Sequence, residues 1–325
     1  MTAIAVIIVN FDSGARLKRT LAALERQTFR DFEALVFDNA SKDGSAEGIG
    51  FSSIRLRTIR HGANIGFAAA NNRAVEEIDA EWVAFLNPDA YPEPDWLEEL
   101  ISATRRHPDV DAFGSTQIDA GDPTRLDGAG DAYHVFGVPY RGHFGWPVAK
   151  LPPEGECFAP CAAAALYRRA TFRALGGFDE TFFCYGEDVD LGFRLRAAGG
   201  KAIQAAAARV AHEGSGVTGR RSDFTVFHGH RNRIWTFVKN MPPEIFWPAL
   251  PFHVLINLYL LGRLGLIGSG GAYMRAVTAA MKGLPAIWRA RKAEQAKRKV
   301  PAGAIFRMLT ISPIRLARRQ ADIRP

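Results

Sequence analysis

The chain has 325 residues, 47% of them hydrophobic and 23% charged. This is an ordinary globular composition, long enough to bury a full core in one large domain or in one domain plus an appendage. Its three cysteines, Cys157, Cys161 and Cys184, are odd in number and lack paired zinc-type spacing, which excludes a disulfide framework and fits reduced thiols in a cytoplasmic protein. The net charge of +7 is unevenly spread: residues from 260 onward hold 14 basic and two acidic side chains, so the preceding body is mildly acidic. An acidic body suits a cation-using site and argues against nucleic acid, while a basic tail suits anionic lipid.

The first run, residues 3–9, is continuous and β-branched, as expected of a strand buried on both faces, and carries no signal-peptide pattern. Leu17, Leu21 and Leu24 then fall on one face of a helix. Strands are predicted at Ala34–Phe37 and Ile54–Ile59, an alanine-rich helix runs to about Ile78, and a strand at Trp82–Leu86 ends in Asn87-Pro88-Asp89. This alternation predicts an α/β fold with a mostly parallel, Rossmann-like sheet covered on both faces. A helix at 94–106 and a strand near 110–115 follow. Residues 119–156, rich in Gly, Pro and aromatics, read as an excursion over a cleft. A strand at Cys161–Tyr167, a turn at Gly176-Gly177-Phe178-Asp179, a helix from Gly186 and a strand at Lys201–Val210 complete the body.

Ligands of open parallel sheets bind beyond the carboxyl ends of the strands, where Asp38 and Asp89 fall. The segment Asn39 to Gly44 is a polar turn able to wrap a base and ribose. Asn64 is placed to cap the following helix, and Gly66 to permit close approach. Asp89 is a candidate ligand for Mg²⁺ or Mn²⁺, which would neutralise a diphosphate leaving group; it also reads as a turn-capping residue. Glu187, Asp188 and Asp190 crowd one helix start. Asp188 or Glu187 can supply a general base, although the cluster also suits the helix dipole, and Asp190 can pair with Arg194. His212, at a strand end, is a structural histidine or a metal ligand.

Taken in order, seven segments resemble the family 2 glycosyltransferases of the GT-A fold, closest to the bacterial rhamnosyltransferase-like branch. They are Val9 to Gly14, Val36 to Gly44, Asn64 to Ala68 with Asn71-Asn72, Leu86 to Asp89, Gly176 to Glu180, Phe183 to Leu191, and His212. The resemblance covers about residues 3 to 235. It implies donor-nucleotide contacts from Asn10, Asp12, Asp38, Asn64, Gly66, Phe67 and Asn87. It places Asp89 at the last position of a metal-binding DxD motif whose first position is here Asn87. It implies metal ligation by Asp89 and His212, base catalysis by Asp188 with Glu187 assisting, and a single displacement with inversion. The expected donor is dTDP-rhamnose, with UDP-hexoses and GDP-mannose as alternatives, and the expected acceptor is a glycan or lipid-linked glycan hydroxyl in cell-surface polysaccharide synthesis.

Residues 1–240 are thus expected to form the GT-A domain and 241–325 a helical, membrane-associating extension. No charged residue occurs from Ile245 to Gly262, but Pro248, Pro251, His253 and Asn257 argue against a clean transmembrane span. An in-plane segment is expected, with Lys282 to Lys299 meeting anionic headgroups on the cytoplasmic face of the inner membrane. A nucleotidyltransferase would want a basic glycine-rich loop after the first strand, and a dinucleotide oxidoreductase a G-x-G-x-x-G; neither is present. A non-catalytic membrane or polyanion-binding module is permitted by the tail but not by the acidic strand ends.

Overall fold

The computed structural model describes residues 2–50, 53–214, 219 and 222–325. The opening β-branched run is β1 (Thr2–Asn10), near the middle of a ten-stranded sheet. Ile4 to Ile8 are fully buried, each large side chain contributing about 1.5–3 kcal/mol by leaving water. The chain proceeds through α1 (Arg16–Glu25), β2 (Phe32–Asp38), β3 (Arg55–Arg60), α2 (Gly66–Glu76) and β4 (Ala80–Leu86). β1 pairs in parallel with both β2 and β4, and β3 joins β2 in parallel. The first half is therefore the predicted doubly covered parallel sheet.

Beyond β4 come a short β5 (Ala90–Pro92), α3 (Trp96–Arg106) and β6 (Ala112–Asp119). The excursion is more ordered than its composition predicts. It contains β7 (Leu126–Gly128), which pairs with β6, a hairpin of β8 (Asp131–His134) and β9 (Val138–Arg141), and an edge strand β10 (Gly155–Glu156). Then follow β11 (Ala164–Arg168), α4 (Arg169–Ala174), α5 (Glu187–Ala197) and β12 (Ala202–His212). β11 lies antiparallel between β4 and β6, and β12 runs parallel to β6. One further pairing matters for function: β5 lies antiparallel to β12 with Ala90 opposite His212, bringing the two strand-end motifs together.

The remaining chain is helical: α6 (Asp223–Asn240), α7 (Pro243–Leu266), α8 (Gly270–Lys297), α9 (Ala302–Met308) and α10 (Pro313–Arg318). α6 packs on α8, and Phe246, Ala280, Ile287 and Ile305 share an apolar cluster with Phe158, Phe182 and Phe193. Among the described residues α7 is the one helix long and apolar enough to cross a membrane by length and composition. The polar residues that argue against a span lie on its protein side. His253 Nδ1 hydrogen-bonds the Phe136 carbonyl at 2.9 Å, and Asn257 accepts from Arg233 and Tyr273. Trp247, Leu255, Leu258 and Tyr259 are exposed. The chain end then returns to the body, where Arg324 exchanges two backbone hydrogen bonds with Glu156 at the sheet edge.

Asp190, anticipated as a partner of Arg194, is the anchor of α5. It is fully buried, accepts from Arg194 at 2.8 Å and Asn240 at 2.7 Å, and lies 2.8 Å from Lys239 Nζ. Burial pushes its pKa up, but Lys239 and Arg194 outweigh that and hold it at about 2. Asp190→Ala leaves buried Arg194 without its carboxylate and Lys239 with Asp179 alone, and is expected to destabilise the fold by roughly 3–5 kcal/mol in urea unfolding at neutral pH. Because the folded pKa is depressed, the stabilisation is complete above the ordinary aspartate value and is lost as pH falls from about 4 toward the folded value, so the variant's deficit should shrink in that window.

Candidate active site

The strand ends of β1 and β2 build the first wall. Asn10 Nδ2 donates to Asp38 Oδ1, Ser41 Oγ and Ser45 Oγ, each at 2.9 Å, and Asn10 Oδ1 accepts from Ser13. Asp12 reaches across to the Lys42 amide at 2.6 Å, tying the β1 turn to the β2 turn. Asn39, which the sequence offered only as part of a polar turn, extends this wall: it donates to Asn64 Oδ1 at 2.9 Å and accepts from the Ile65 amide at 3.0 Å. Asn64 lies one residue before the N-cap position, which Ile65 occupies, but its Oδ1 still accepts from the Gly66 amide at 2.9 Å and so satisfies one free N–H at the helix start. Gly66 has φ +85°, and an added Cβ would stand 2.7 Å from the Phe183 carbonyl oxygen. The close approach it permits is therefore to the segment before α5. Phe67 turns onto Phe178 and the apolar core.

That segment is strained and clamped. Phe183 and Tyr185 both have φ near +70°, a conformation that side chains disfavour. Asn232 of α6, fully buried, donates to the Phe182, Cys184 and Tyr185 carbonyls at 2.7–3.0 Å and holds the loop against this cost. Asn72 secures the Gly177-Phe178 turn through the Phe178 amide and carbonyl. Glu187 and Asp188 open α5 directly after this loop. Asp188 accepts from the Ala162 amide at 3.1 Å and the Val189 amide at 2.8 Å. The adjacent residue, Ala163, accepts from the Asn87 amide at 2.9 Å. The turn containing Asp89 and the start of α5 thus rest on the same two residues.

Burial, followed by repulsion from Asp188, pushes the Glu187 carboxyl well above its usual range and so favours its protonated form. Burial also raises Asp188, opposed by its two amide donors and by Arg141.

Asp89 and His212 meet at the β5–β12 junction, both buried, with Asp89 Oδ1 3.4 Å from His212 Nε2. The other ring nitrogen, Nδ1, hydrogen-bonds Asp127 Oδ2 at 2.7 Å. A carboxylate beside Arg141 accepts, which assigns the proton to Nδ1 and turns Nε2, without a hydrogen-bond partner among the described residues, toward Asp89. Burial alone would lower the His212 pKa, yet Asp127 and Asp89 outweigh it and the net direction is up. Surroundings that favour a proton on Nε2 also favour a cation between Nε2 and Asp89. An imidazole nitrogen and a carboxylate, with the imidazole oriented by a second carboxylate, fit Mn²⁺ or Mg²⁺.

Asp127, Asp131 and Arg141 were missed from the sequence, where they lie in an excursion with no periodicity. Arg141 pairs with Asp127, and its β9 position is opposite Asp131 in β8. Asp131, Cys161 and Asp188 bring one polar atom each within 4.8 Å of one another. The polar chain therefore runs from Asp89 through His212, Asp127 and Arg141 to Asp131 and Asp188.

Residues 5–176 match the sequence profile of Glycosyl transferase family 2. The chain is 31% identical over 245 residues to an N-acetylglucosaminyl-diphospho-decaprenol L-rhamnosyltransferase of Mycobacterium tuberculosis, covering 66% of this chain and 77% of that protein. The solved structure of GalNAc-T7 with UDP, GalNAc and Mn²⁺ superposes with a TM-score of 0.58 at 17% identity, over 74% of this chain and 48%, about half, of the other. The mannosyltransferase PcManGT from Pyrobaculum calidifontis, in complex with GDP-Man and Mn²⁺, gives 0.53 at 18% identity, over 94% and 87%. The fold shared with both is GT-A.

Asp127→Asn tests the metal reading. Losing the carboxylate that orients His212 is expected to weaken Mn²⁺ binding by roughly 10–100-fold in calorimetric titrations, with the folded state retained by circular dichroism.

Proposed function

Because this chain belongs to glycosyl transferase family 2, and is a glycosyltransferase, we propose that it moves a sugar from a nucleoside diphosphate donor to an acceptor hydroxyl in one inverting displacement. The observation that carries this reading is the shared footing of the Asn87–Asp89 turn and Asp188 on Ala162 and Ala163, which supports a cation-binding role for Asp89 and a base role for Asp188 in one site. Asn10, Asp12 and Asp38, with Asn39 and Asn64, form the polar wall for the donor's base and ribose. Asn87 flanks that wall, while Gly66 and Phe67 shape it from behind. Asp89 and His212 would hold the divalent ion, which supplies charge neutralisation for the departing diphosphate. Asp188 takes the proton as the acceptor oxygen's electron pair forms the bond to the anomeric carbon and the bond to the diphosphate oxygen breaks. Glu187, buried beside it, assists by binding the acceptor.

The relative's name supports L-rhamnose as the transferred sugar, for which dTDP-rhamnose is the donor in this reading, and a lipid-linked glycan as acceptor; the GDP-Man bound by one structural neighbour keeps GDP-mannose as the alternative, with UDP-hexoses. Nucleoside diphosphate release from a panel of sugar nucleotides tests this. Release from one donor that needs Mn²⁺ or Mg²⁺, falls at least a hundredfold in Asp89→Ala and falls comparably in Asp188→Asn is the expected result. No release from any donor would sink the reading.

Residues 241–325 act in this reading as a membrane-docking extension of the GT-A body of residues 1–240, on the cytoplasmic face of the inner membrane. Support comes from α7, whose outward side is apolar, Leu255 and Leu258 being about 60% exposed, and from the basic run Lys282 to Lys299 nearby in sequence. Flotation with anionic liposomes at low salt is expected for the wild type and lost in Leu255→Glu/Leu258→Glu. Equal flotation of both proteins would remove α7 from the contact.

A further inference from the structure

Asp188 has a neighbour that the proposed reaction leaves unused. Asp131, 8% exposed at the start of β8, puts a carboxylate oxygen within 4.8 Å of Asp188, with the Cys161 thiol completing the group. Two buried carboxylates at this separation do not readily carry two full charges. Each element around them adds a group. β7 contributes Asp127, already engaged with His212 and Arg141. β9 contributes Arg141, the cation of the cluster. The segment before β11 contributes Cys157 and Cys161, both pushed by burial to about 12, and β11 contributes Tyr167, which burial pushes well above its ordinary value. α5 contributes Asp188 with Glu187 beside it. Arg141 serves Asp127 first, so one guanidinium does not neutralise both members of the Asp131–Asp188 pair.

The two members are not equivalent. Asp188 accepts from two backbone amides at the N-terminus of α5, both of which favour its charged form. Among the described residues no hydrogen bond reaches the Asp131 carboxyl. Burial, followed by the charge of Asp188, carries Asp131 up to about 8, with Arg141 opposing.

We propose that Asp131 is a positioning residue for the transfer: it retains a proton beside Asp188, and so keeps Asp188 the ionised member of the pair that receives the acceptor's proton. This rests on the reading of Asp188 as the base. Before reaction the pair holds one proton. The acceptor hydroxyl delivers a second to Asp188 as its oxygen bonds to the anomeric carbon, and that proton leaves to solvent with the product. A neutral Asp131 also spares the site a further negative charge where an anionic donor must bind. Above the range where Asp131 holds its proton, that charge appears and transfer declines.

The test begins without substrate, by carboxyl ¹³C NMR titration of aspartate-labelled protein. One aspartate is expected to titrate near the value given above, to vanish in Asp131→Asn, and to move down in Asp188→Asn. Absence of any aspartate titrating above the ordinary carboxylate range, or survival of that signal in Asp131→Asn, overturns the proposal. Loss of the signal when Mg²⁺ is added to Asp89→Ala makes the cluster a cation site and also overturns it. The second arm is the pH profile of kcat/KM. Wild type should lose about tenfold in rate between pH 7 and pH 9, and Asp131→Asn should not. Profiles that superimpose after scaling overturn the proposal. Linked titrations in an enzyme that transfers no sugar would instead fell the proposed function and leave the proton sharing standing.

Discussion

The Asp127 carboxylate is the constraint on which the site depends. Its Oδ2 accepts from both His212 and Arg141, and the residue is almost inaccessible to water. Through His212 it sets which ring nitrogen faces Asp89, and through Arg141 it fixes the positive charge nearest the Asp131–Asp188 pair. The site's cation-binding end and its proton-handling end are thereby coupled by one anion in a medium where charges act strongly. Its position follows from the pairing of β7 with β6, a short antiparallel addition to a sheet whose active edge is otherwise built from strand ends.

Much of this edge was legible in the sequence because parallel sheets punctuate themselves. A β-branched run that stops at Asn10, Asp38 or Asp89 marks its carboxyl end with a polar residue, and such ends converge. The partners across the cleft were not legible for the opposite reason. Asp127, Asp131 and Arg141 come from a Gly- and Pro-rich stretch where neither a period of two nor one of 3.6 is visible, and their strands are only three or four residues long. Asn232 carries no local signal either. Its value lies in three carbonyls about 50 residues away in the chain, a relation that no local pattern encodes.

α7 shows how a composition argument meets a geometry it does not contain. Its prolines, histidine and asparagine read as flaws in a hydrophobic segment. In the fold, His253 stacks on Phe237 at 4.1 Å and Asn257 joins Arg233 and Tyr273, so the polar residues fasten the helix inward and leave apolar side chains outside. Hydropathy along a sequence averages over both faces and does not reveal which one the protein covers.

The return of the chain end to the catalytic body has a mechanical consequence. The helices after α6 are fixed at their start by α6 itself. Near their close, Thr310 exchanges backbone hydrogen bonds with Tyr133 and Val135, and Arg324 does so with Glu156. An element pinned at both ends is an outrigger, not a tether: it has no hinge about which to swing and little slack to pay out. If its apolar flank rests on a bilayer, the height and tilt of the cleft above that surface are the same in every molecule. The reachable acceptors are then those whose head groups stand at that one level.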